Sequence, residues 1–369
     1  MKIAIILGTR PEIIKMAPII RELESKEVDY FIVHSGQHYS YNMDRVFFEQ
    51  LNLPKPKYNI SVGSGTHAEE TGKALIGIEK VLLMEQPDVV LVQGDTNTTL
   101  SGALAAAKLM IKVGHVEAGL RSFDKGMPEE LNRVIVDHLS DYLFAPTEKA
   151  RKNLLNEGIN KDRIFLTGNT IVDIVYQNLN LVKDNNILET LDLNTDDFFL
   201  LTLHRQENVD NKQRLLNIVK GLELIGQEFD IPIVFPIHPR TKERLKEFGI
   251  SLPSFIKLIE PLDYLSFLKL EISAKLILTD SGGVQEEACI LKVPCVTIRH
   301  NTERPETLDV GANVLAGTDP KRILEKTKIM LSRRRTWPNP FGNGKAAKRI
   351  VDVVLSKNRK RLTRRSEIH

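Results

Sequence analysis

Short apolar runs, each closed by glycine or polar residues and followed by a helical pattern, recur along most of the chain. Lys2–Leu7 (KIAIIL) is the first, of the all-apolar type that suits a strand buried on both faces. It ends in Gly8-Thr9-Arg10-Pro11-Glu12. Pro11 suits the first turn of a helix whose Ile14, Ala17 and Ile20 or Leu23 share a face. Tyr30–His34, Asp88–Gln93, Lys112–Val116 and Tyr142–Ala145 repeat the strand pattern. Helices are predicted over Ala68–Glu85, from Thr98 to Ile111 and from Met127 to about Ser140. Phe165–Gly168 ends the first half, and the polar stretch Lys183–Asp197 reads as part of a connection between domains.

The pattern then restarts. Phe198–Leu203, Ile233–Ile237, Ile256–Glu260, the run ending at Leu278 and Pro294–Ile298 read as strands. Helices are predicted over Lys212–Phe229, Tyr264–Ile272 and, last, Gly344–Lys357. Strands alternating with helices at this spacing predict α/β domains built on doubly wound parallel sheets. The expected architecture is two Rossmann-like domains facing a central cleft. Residues 1–169 form the N-terminal domain, joined by a C-terminal helix at about 352–369, and residues 170–351 form the second. Trp337-Pro338-Asn339-Pro340 would carry the chain back to the first domain.

Composition narrows the function classes. A chain of 369 residues, 42% of them hydrophobic, can bury a large core. Lys+Arg 51 against Asp+Glu 48 leaves +3, too even for a body that binds nucleic acid by charge. Part of that surplus lies in Lys357–Arg365 (KNRKRLTRR), a solvated tail, with an anionic partner as the lesser alternative. Cys289 and Cys295 form neither a disulfide framework nor a zinc spacing. No apolar stretch approaches the ~20 residues of a membrane span. Met1-Lys2 runs straight into a strand with no signal peptide. The expectation is a soluble cytoplasmic protein with no membrane partner.

Candidate chemistry gathers at strand ends. Doubly wound sheets bind ligands outside the carboxyl ends of their strands. Arg10, Asp95 and Glu117 fall at that edge and Glu129 shortly after it; Lys15 lies inside the first helix, where an anion could meet it and Arg10 together. A lone acid at a strand end is often a helix cap, but capping would not need three acids and an arginine on one edge. In the second half, His204 and His238 both close apolar strands. Gly8 stands alone where a dinucleotide fingerprint would need three glycines, which argues against NAD there.

The stretch ILTDSGGVQEEACIL, Ile277–Leu291, reads as strand, Gly-Gly turn and helix. Ser281 is placed as an N-cap, and Gly282 and Gly283 would let a phosphate approach the backbone N–H groups at the helix start. Glu286 and Glu287 follow one turn later, suited to accepting hydrogen bonds from sugar hydroxyls. An ordinary βα turn, in which glycine only relieves strain, is the alternative.

Together the strings GTRPE (Gly8–Glu12), QGDT (Gln93–Thr96), VEAGLR (Val116–Arg121), PEELNR (Pro128–Arg133), HRQEN (His204–Asn208), TDSGGVQEEA (Thr279–Ala288) and TERPE (Thr302–Glu306) resemble the non-hydrolysing UDP-N-acetylglucosamine 2-epimerases, in order and spacing, over nearly the whole chain. The resemblance implies the glycosyltransferase-B type fold and a cytosolic homodimer. It implies interconversion of UDP-GlcNAc and UDP-ManNAc through UDP, with no cofactor and no metal, feeding surface polysaccharide or glycan synthesis. The route it implies is anti elimination of UDP to 2-acetamidoglucal and re-addition. By the same resemblance Asp95, Glu117 and Glu129 are the catalytic acids and His204 acts on the departing diphosphate. Arg10 and Lys15 serve the UDP and sugar region, Ser281, Gly282 and Gly283 hold phosphates, and Glu287 holds the ribose. Phe267 lines the uracil site, Arg304 faces the sugar, and His238 belongs to the binding set.

Two departures stand out. Leu262 occupies the place before Asp263-Tyr264 where the family commonly has Gln, so that contact would pass to backbone. For a second, activating nucleotide sugar, Gln37 and His38 are kept but Ser64-Gly65-Thr66 fills the arginine region. A hydrolysing relative releasing ManNAc and UDP, and a retaining glycosyltransferase of the same fold, are the alternative functions.

Overall fold

The structure, a computed structural model, describes residues 1–36 and 41–366. Gln37 and His38 lie outside the described residues. The chain divides into two compact units, Met1–Tyr176 with Phe341–His369, and Gln177–Pro340.

The first unit carries a seven-stranded parallel sheet: β1 Lys2–Leu7, β2 Asp29–His34, β3 Tyr58–Asn59, β4 Val89–Gln93, β5 Lys112–Val116, β6 Tyr142–Ala145 and β7 Ile164–Leu166. Its order is β3-β2-β1-β4-β5-β6-β7, so the chain winds one way from β1 and returns to wind the other way from β4. β1 is central, and Ile3 to Leu7 are fully buried. Helices cover both faces of such a sheet, which is why its central strands β1 (KIAIIL) and β4 (VVLVQ) are almost wholly apolar rather than alternating.

The second unit repeats the plan with six parallel strands: β8 Phe199–Thr202, β9 Ile233–Pro236, β10 Ile256–Ile259, β11 Leu276–Thr279, β12 Cys295–Thr297 and β13 Asn313–Leu315. The order β10-β9-β8-β11-β12-β13 reverses between β8 and β11. Both sheets are thus doubly wound, each with one switch point where a ligand crevice is expected.

The exchange between units departs from the boundaries drawn on the sequence. It falls at Tyr176/Gln177, inside the helix Thr170–Lys183, and the return falls at Pro340/Phe341. Hydrogen bonds explain both places. Asn169 N donates to Phe341 O at 2.8 Å, and the N–H groups of Ala346 and Ala347 donate to the Asp173 carboxylate at 3.1 and 2.9 Å. Asp173 therefore caps the last helix, Ala346–Ser366, and fastens it in the first unit. The stretch Lys183–Asp197 is not a connection: Ile187, Leu188, Leu191 and Leu193 pack on the core of the second unit. Among the described residues no helix is long and apolar enough to cross a membrane.

Candidate active site

At the first unit's switch point the sequence places Gly8-Thr9-Arg10 after β1, Gly94-Asp95 after β4 and Glu117 after β5. Glu12 holds this edge together. Its Oε2 accepts from Gly8 N (3.0 Å) and Thr9 N (2.7 Å), while Oε1 accepts from the hydroxyls of Thr96 (2.8 Å) and Thr99 (3.0 Å). Burial raises the Glu12 carboxyl above the usual carboxylate range, against the pull of those bonds. GTRPE therefore contains one structural acid and one exposed arginine. Arg10 lies over the Phe47 ring at 5.6 Å, while Lys15 is buried and its Nζ donates to Glu117 Oε1 at 2.6 Å. The helix start thus does not present the two cations alike to one anion, because five residues of helix turn them to different sides.

Glu117 is the most constrained of the acids. Besides Lys15 it accepts from Asn169 Nδ2 at 2.9 Å and from Gln93 Nε2. Its side chain is only 3% exposed, and its backbone is left-handed at φ 68°. A side-chain-bearing residue held there costs on the order of 1–3 kcal/mol and persists where the surroundings over-determine it, commonly at functional sites. Three N–H donors surround its two oxygens.

Asp95 is more open, with 28% of its side chain exposed. Its carboxylate receives Arg133 Nη2, and its main-chain carbonyl receives Asn132 Nδ2 at 2.9 Å. Glu129 is half-buried at the start of helix Pro128–Leu139. Its neighbour Glu130 is structural, accepting from Ser122 N, Phe123 N and Arg133 Nη1 at 2.9, 2.9 and 2.7 Å. Gln93, Asn132, Arg133 and Asn169 were missed as site residues. The first three lie inside or beside the motifs already singled out, but their partners are visible only once the strands are aligned.

In the second unit His204 follows β8 and Asp280 follows β11, the two strands flanking the switch point. Asp280 is fully buried and accepts from His204 N (3.1 Å), Arg205 N (2.9 Å) and Asn208 Nδ2 (3.2 Å). It thereby fixes the HRQEN turn against the glycine turn and leaves the His204 ring 39% exposed, with Nε2 3.9 Å from Asp280 Oδ1. The His238 ring lies 5.8 Å from that of His204. His238 is also the N-cap of helix Pro239–Phe248, its Nδ1 accepting from Arg240 N at 3.2 Å, so its neutral form carries the hydrogen on Nε2. Phe267 is half-buried against the core alongside Leu262 and Leu291.

Two expectations for the glutamates and Ser281 need correction. Glu286 does not face sugar hydroxyls: it is fully buried and paired with Arg304 at 2.6 Å. Arg304, itself buried, is brought beside the glycine turn by that pair, its guanidinium carbon 4.0 Å from where a Cβ on Gly282 would stand. Glu287 is 6% exposed. Ser281 has N-cap backbone angles but makes no side-chain capping bond to the helix Gly282–Leu291; its N–H donates to Thr279 Oγ1 at 2.9 Å.

The glycines bear on whether this is an ordinary turn or an anion site. Neither Gly282 nor Gly283 takes a left-handed φ. A Cβ on Gly283 would meet no described atom within 4 Å, and one on Gly282 only ordinary contacts at 3.6 and 4.0 Å. The fold therefore does not require glycine at either place, and a helix would favour alanine by about 0.5–1 kcal/mol. Without side chains there, the N–H groups at the helix start are left open to close approach. Gly283→Ala is accordingly expected to keep or raise the melting temperature while lowering UDP affinity at least about tenfold. Unaltered UDP binding by calorimetry would reduce the turn to a structural one.

Two doubly wound sheets, with carboxylates at one switch point and a glycine-opened helix start beside a histidine at the other, define a nucleotide-sugar enzyme of the glycosyltransferase-B fold type. The family model described as UDP-N-acetylglucosamine 2-epimerase matches residues 21–355. The UDP-N-acetylglucosamine 2-epimerase of Methanocaldococcus jannaschii is 62% identical over 361 residues, 96% of this chain and 99% of that one. The crystal structure of the M. jannaschii UDP-GlcNAc 2-epimerase in complex with UDP-GlcNAc and UDP superposes with a TM-score of 0.93, covering 96% of this chain and 100% of that one at 62% identity. The UDP-2,3-diacetamido-2,3-dideoxy-D-glucuronate 2-epimerase of Pseudomonas aeruginosa is 42% identical over 357 residues, 96% of this chain and 99% of that one. The chain belongs to the UDP-N-acetylglucosamine 2-epimerase family and is an epimerase, an isomerase.

Proposed function

We propose that this epimerase interconverts UDP-GlcNAc and UDP-ManNAc without net hydrolysis, by eliminating UDP across C1–C2 and adding it back. The observation that carries the reading is the cluster of Asp95 and Glu117 at one switch point, held by Arg133, Lys15, Gln93 and Asn169. The C2 hydrogen of the substrate is not next to a ketone, so deprotonation needs the C1 leaving group to depart. A carboxylate takes the C2 proton while the C1–O bond breaks, giving 2-acetamidoglucal and UDP. Return of UDP oxygen to C1, with a proton delivered to the other face of C2, gives the epimer.

In this scheme the carboxylates Asp95, Glu117 and Glu129 serve the acid–base steps. Lys15 sets the charge beside Glu117 and serves the sugar region. His204, Arg10 and the N–H groups at Ser281–Gly283 stabilise a diphosphate that gains charge as it leaves. Glu287 holds the ribose, Phe267 the uracil, Arg304 the sugar side of the phosphates, and His238 supports His204. The reaction asks for no redox or metal cofactor. The enzyme would work in the cytoplasm as a homodimer and supply surface polysaccharide or glycan synthesis. In support of the dimer, helix His67–Glu85 presents Ile76, Leu83 and Met84, which are 57%, 57% and 65% exposed.

One proton NMR time course in deuterated water tests the reaction. Starting from UDP-GlcNAc, without NAD and with chelator, UDP-ManNAc should form with deuterium at C2, and traces of 2-acetamidoglucal plus UDP should leak. Free ManNAc with stoichiometric UDP would instead favour the hydrolysing relative. Turnover only after a sugar acceptor is added would favour the glycosyltransferase.

A further inference from the structure

The loops that carry Asp95 and Glu117 are tied by side chains that lie behind them and that the proposed chemistry does not use. His115 lies on β5, paired in register with Val92 of β4, and is fully buried. Its Nε2 faces the carbonyl of Gly94 at 2.8 Å, one residue before Asp95. Its Nδ1 faces Asp137 Oδ1 at 2.6 Å. The other oxygen of Asp137 accepts from Gly119 N at 3.1 Å, two residues after Glu117, and from Arg121 Nη2 at 2.7 Å. Arg121 in turn forks onto Glu157, with Nε and Nη2 at 2.7 and 2.6 Å. Gly119 has a left-handed φ of 83°, and a Cβ there would stand 2.3 Å from Ala150 O, so this turn has one place to lie.

Both ring nitrogens of His115 face oxygens. The Gly94 carbonyl can only accept, so Nε2 carries a hydrogen. Burial would push the Asp137 carboxyl up, but His115 and Arg121 outweigh it and hold the group below its usual range. Asp137 therefore faces Nδ1 as a carboxylate. His115, Asp137, Arg121 and Glu157 form one chain of contacts, with three members buried and its outer end, Glu157, 27% exposed.

Resting on the function proposed above, we infer that His115 and Asp137 are positioning residues: a buried imidazole–carboxylate clamp that sets the distance between the Asp95 loop and the Glu117 turn. The clamp touches the backbone on the near side of one carboxylate and the far side of the other. It fixes where both stand without offering either a proton. An elimination and a re-addition that use carboxylates on two loops need that separation held through the life of the glucal. A loosened clamp should therefore slow both steps and let more intermediate escape.

The test is His115→Gln, which can still donate one hydrogen bond but not hold both oxygens, with Glu157→Gln as the milder variant at the exposed end. For His115→Gln, kcat should fall by about 10–100-fold, with KM for UDP-GlcNAc changed less than about threefold, as expected when an interaction is lost from the transition state. The ratio of 2-acetamidoglucal released to UDP-ManNAc formed should rise several-fold. UDP affinity by calorimetry should stay at the wild-type value. Glu157→Gln should move kcat and the glucal ratio the same way by a smaller factor, and it decides the matter if His115→Gln does not fold. A wild-type glucal ratio per folded molecule overturns the clamp, whatever happens to the melting temperature. Absence of UDP-ManNAc from the wild-type reaction would instead overturn the functional reading, so the two failures are distinguishable.

Discussion

Asp95→Asn is expected to lower the rate of UDP-ManNAc formation by about 10²–10⁴-fold, the contribution of a positioned acid–base group, and to leave UDP affinity within about twofold of wild type. The asymmetry follows from where the residue lies. Asp95 is at the carboxyl end of β4 in the first unit, whereas the glycine turn proposed to hold the diphosphate follows β11 in the second. Its side chain combines enough exposure to meet a solute with an arginine that holds its orientation. The amide is nearly isosteric, and Arg133 keeps its 2.7 Å bond to Glu130, so the local fold has a charge partner left. Steady-state rates by coupled assay or NMR, together with calorimetry of UDP, separate the two effects. A variant that epimerises at the wild-type rate would remove Asp95 from the chemistry and shift the acid–base work to Glu117 and Glu129.

Most of this site's address was legible in the sequence, and most of its wiring was not. The all-apolar runs at Ile3–Leu7, Val89–Val92 and Leu276–Leu278 have no polar face, so only a sheet covered on both sides accommodates them. That places Asp95, Glu117, His204 and Asp280 at strand ends without any coordinates. Two edge strands do not show in the sequence: Tyr58–Asn59 and Asn313–Leu315 are two and three residues long and carry polar residues, too short for any periodicity. The polar stretch Lys183–Asp197 misled because its few apolar residues pack on the second unit despite charged neighbours. Within motifs, adjacency in sequence concealed opposite fates. Glu129 is half-buried while Glu130 straps the loop before it, and Glu286 pairs with Arg304 while Glu287 was the one assigned to ribose. Neighbouring residues on a helix point 100° apart, so a pair of acids in a string rarely shares one task.

Lys15 and Glu117 should show opposite behaviour in stability and in activity. Their side chains are 7% and 3% exposed with 2.6 Å between Nζ and Oε1, a buried ion pair. Removing one member of such a pair strands the other charge in a poor solvent and typically costs about 3–5 kcal/mol, whereas removing both together is far milder. Lys15→Met leaves the Glu117 carboxylate with the neutral amides of Gln93 and Asn169 in place of an ammonium. Glu117→Gln leaves the ammonium of Lys15 facing an amide. Each single variant should therefore unfold at markedly lower denaturant, and the double variant Lys15→Met with Glu117→Gln should recover part of that loss. Activity should not follow. Glu117 holds a left-handed backbone that glycine would adopt at lower cost, which points to a side chain required for something other than folding. The double variant should accordingly fold better than either single one and still epimerise at least about 100-fold more slowly than wild type, the lower end of what an acid–base group contributes. Denaturant titration and initial rates on the same four proteins complete a double-mutant cycle. Additive stability losses would mean the pair is not coupled as its geometry implies. A double variant that regains activity with stability would make Glu117 a structural residue and leave Asp95 and Glu129 to carry the proton transfers.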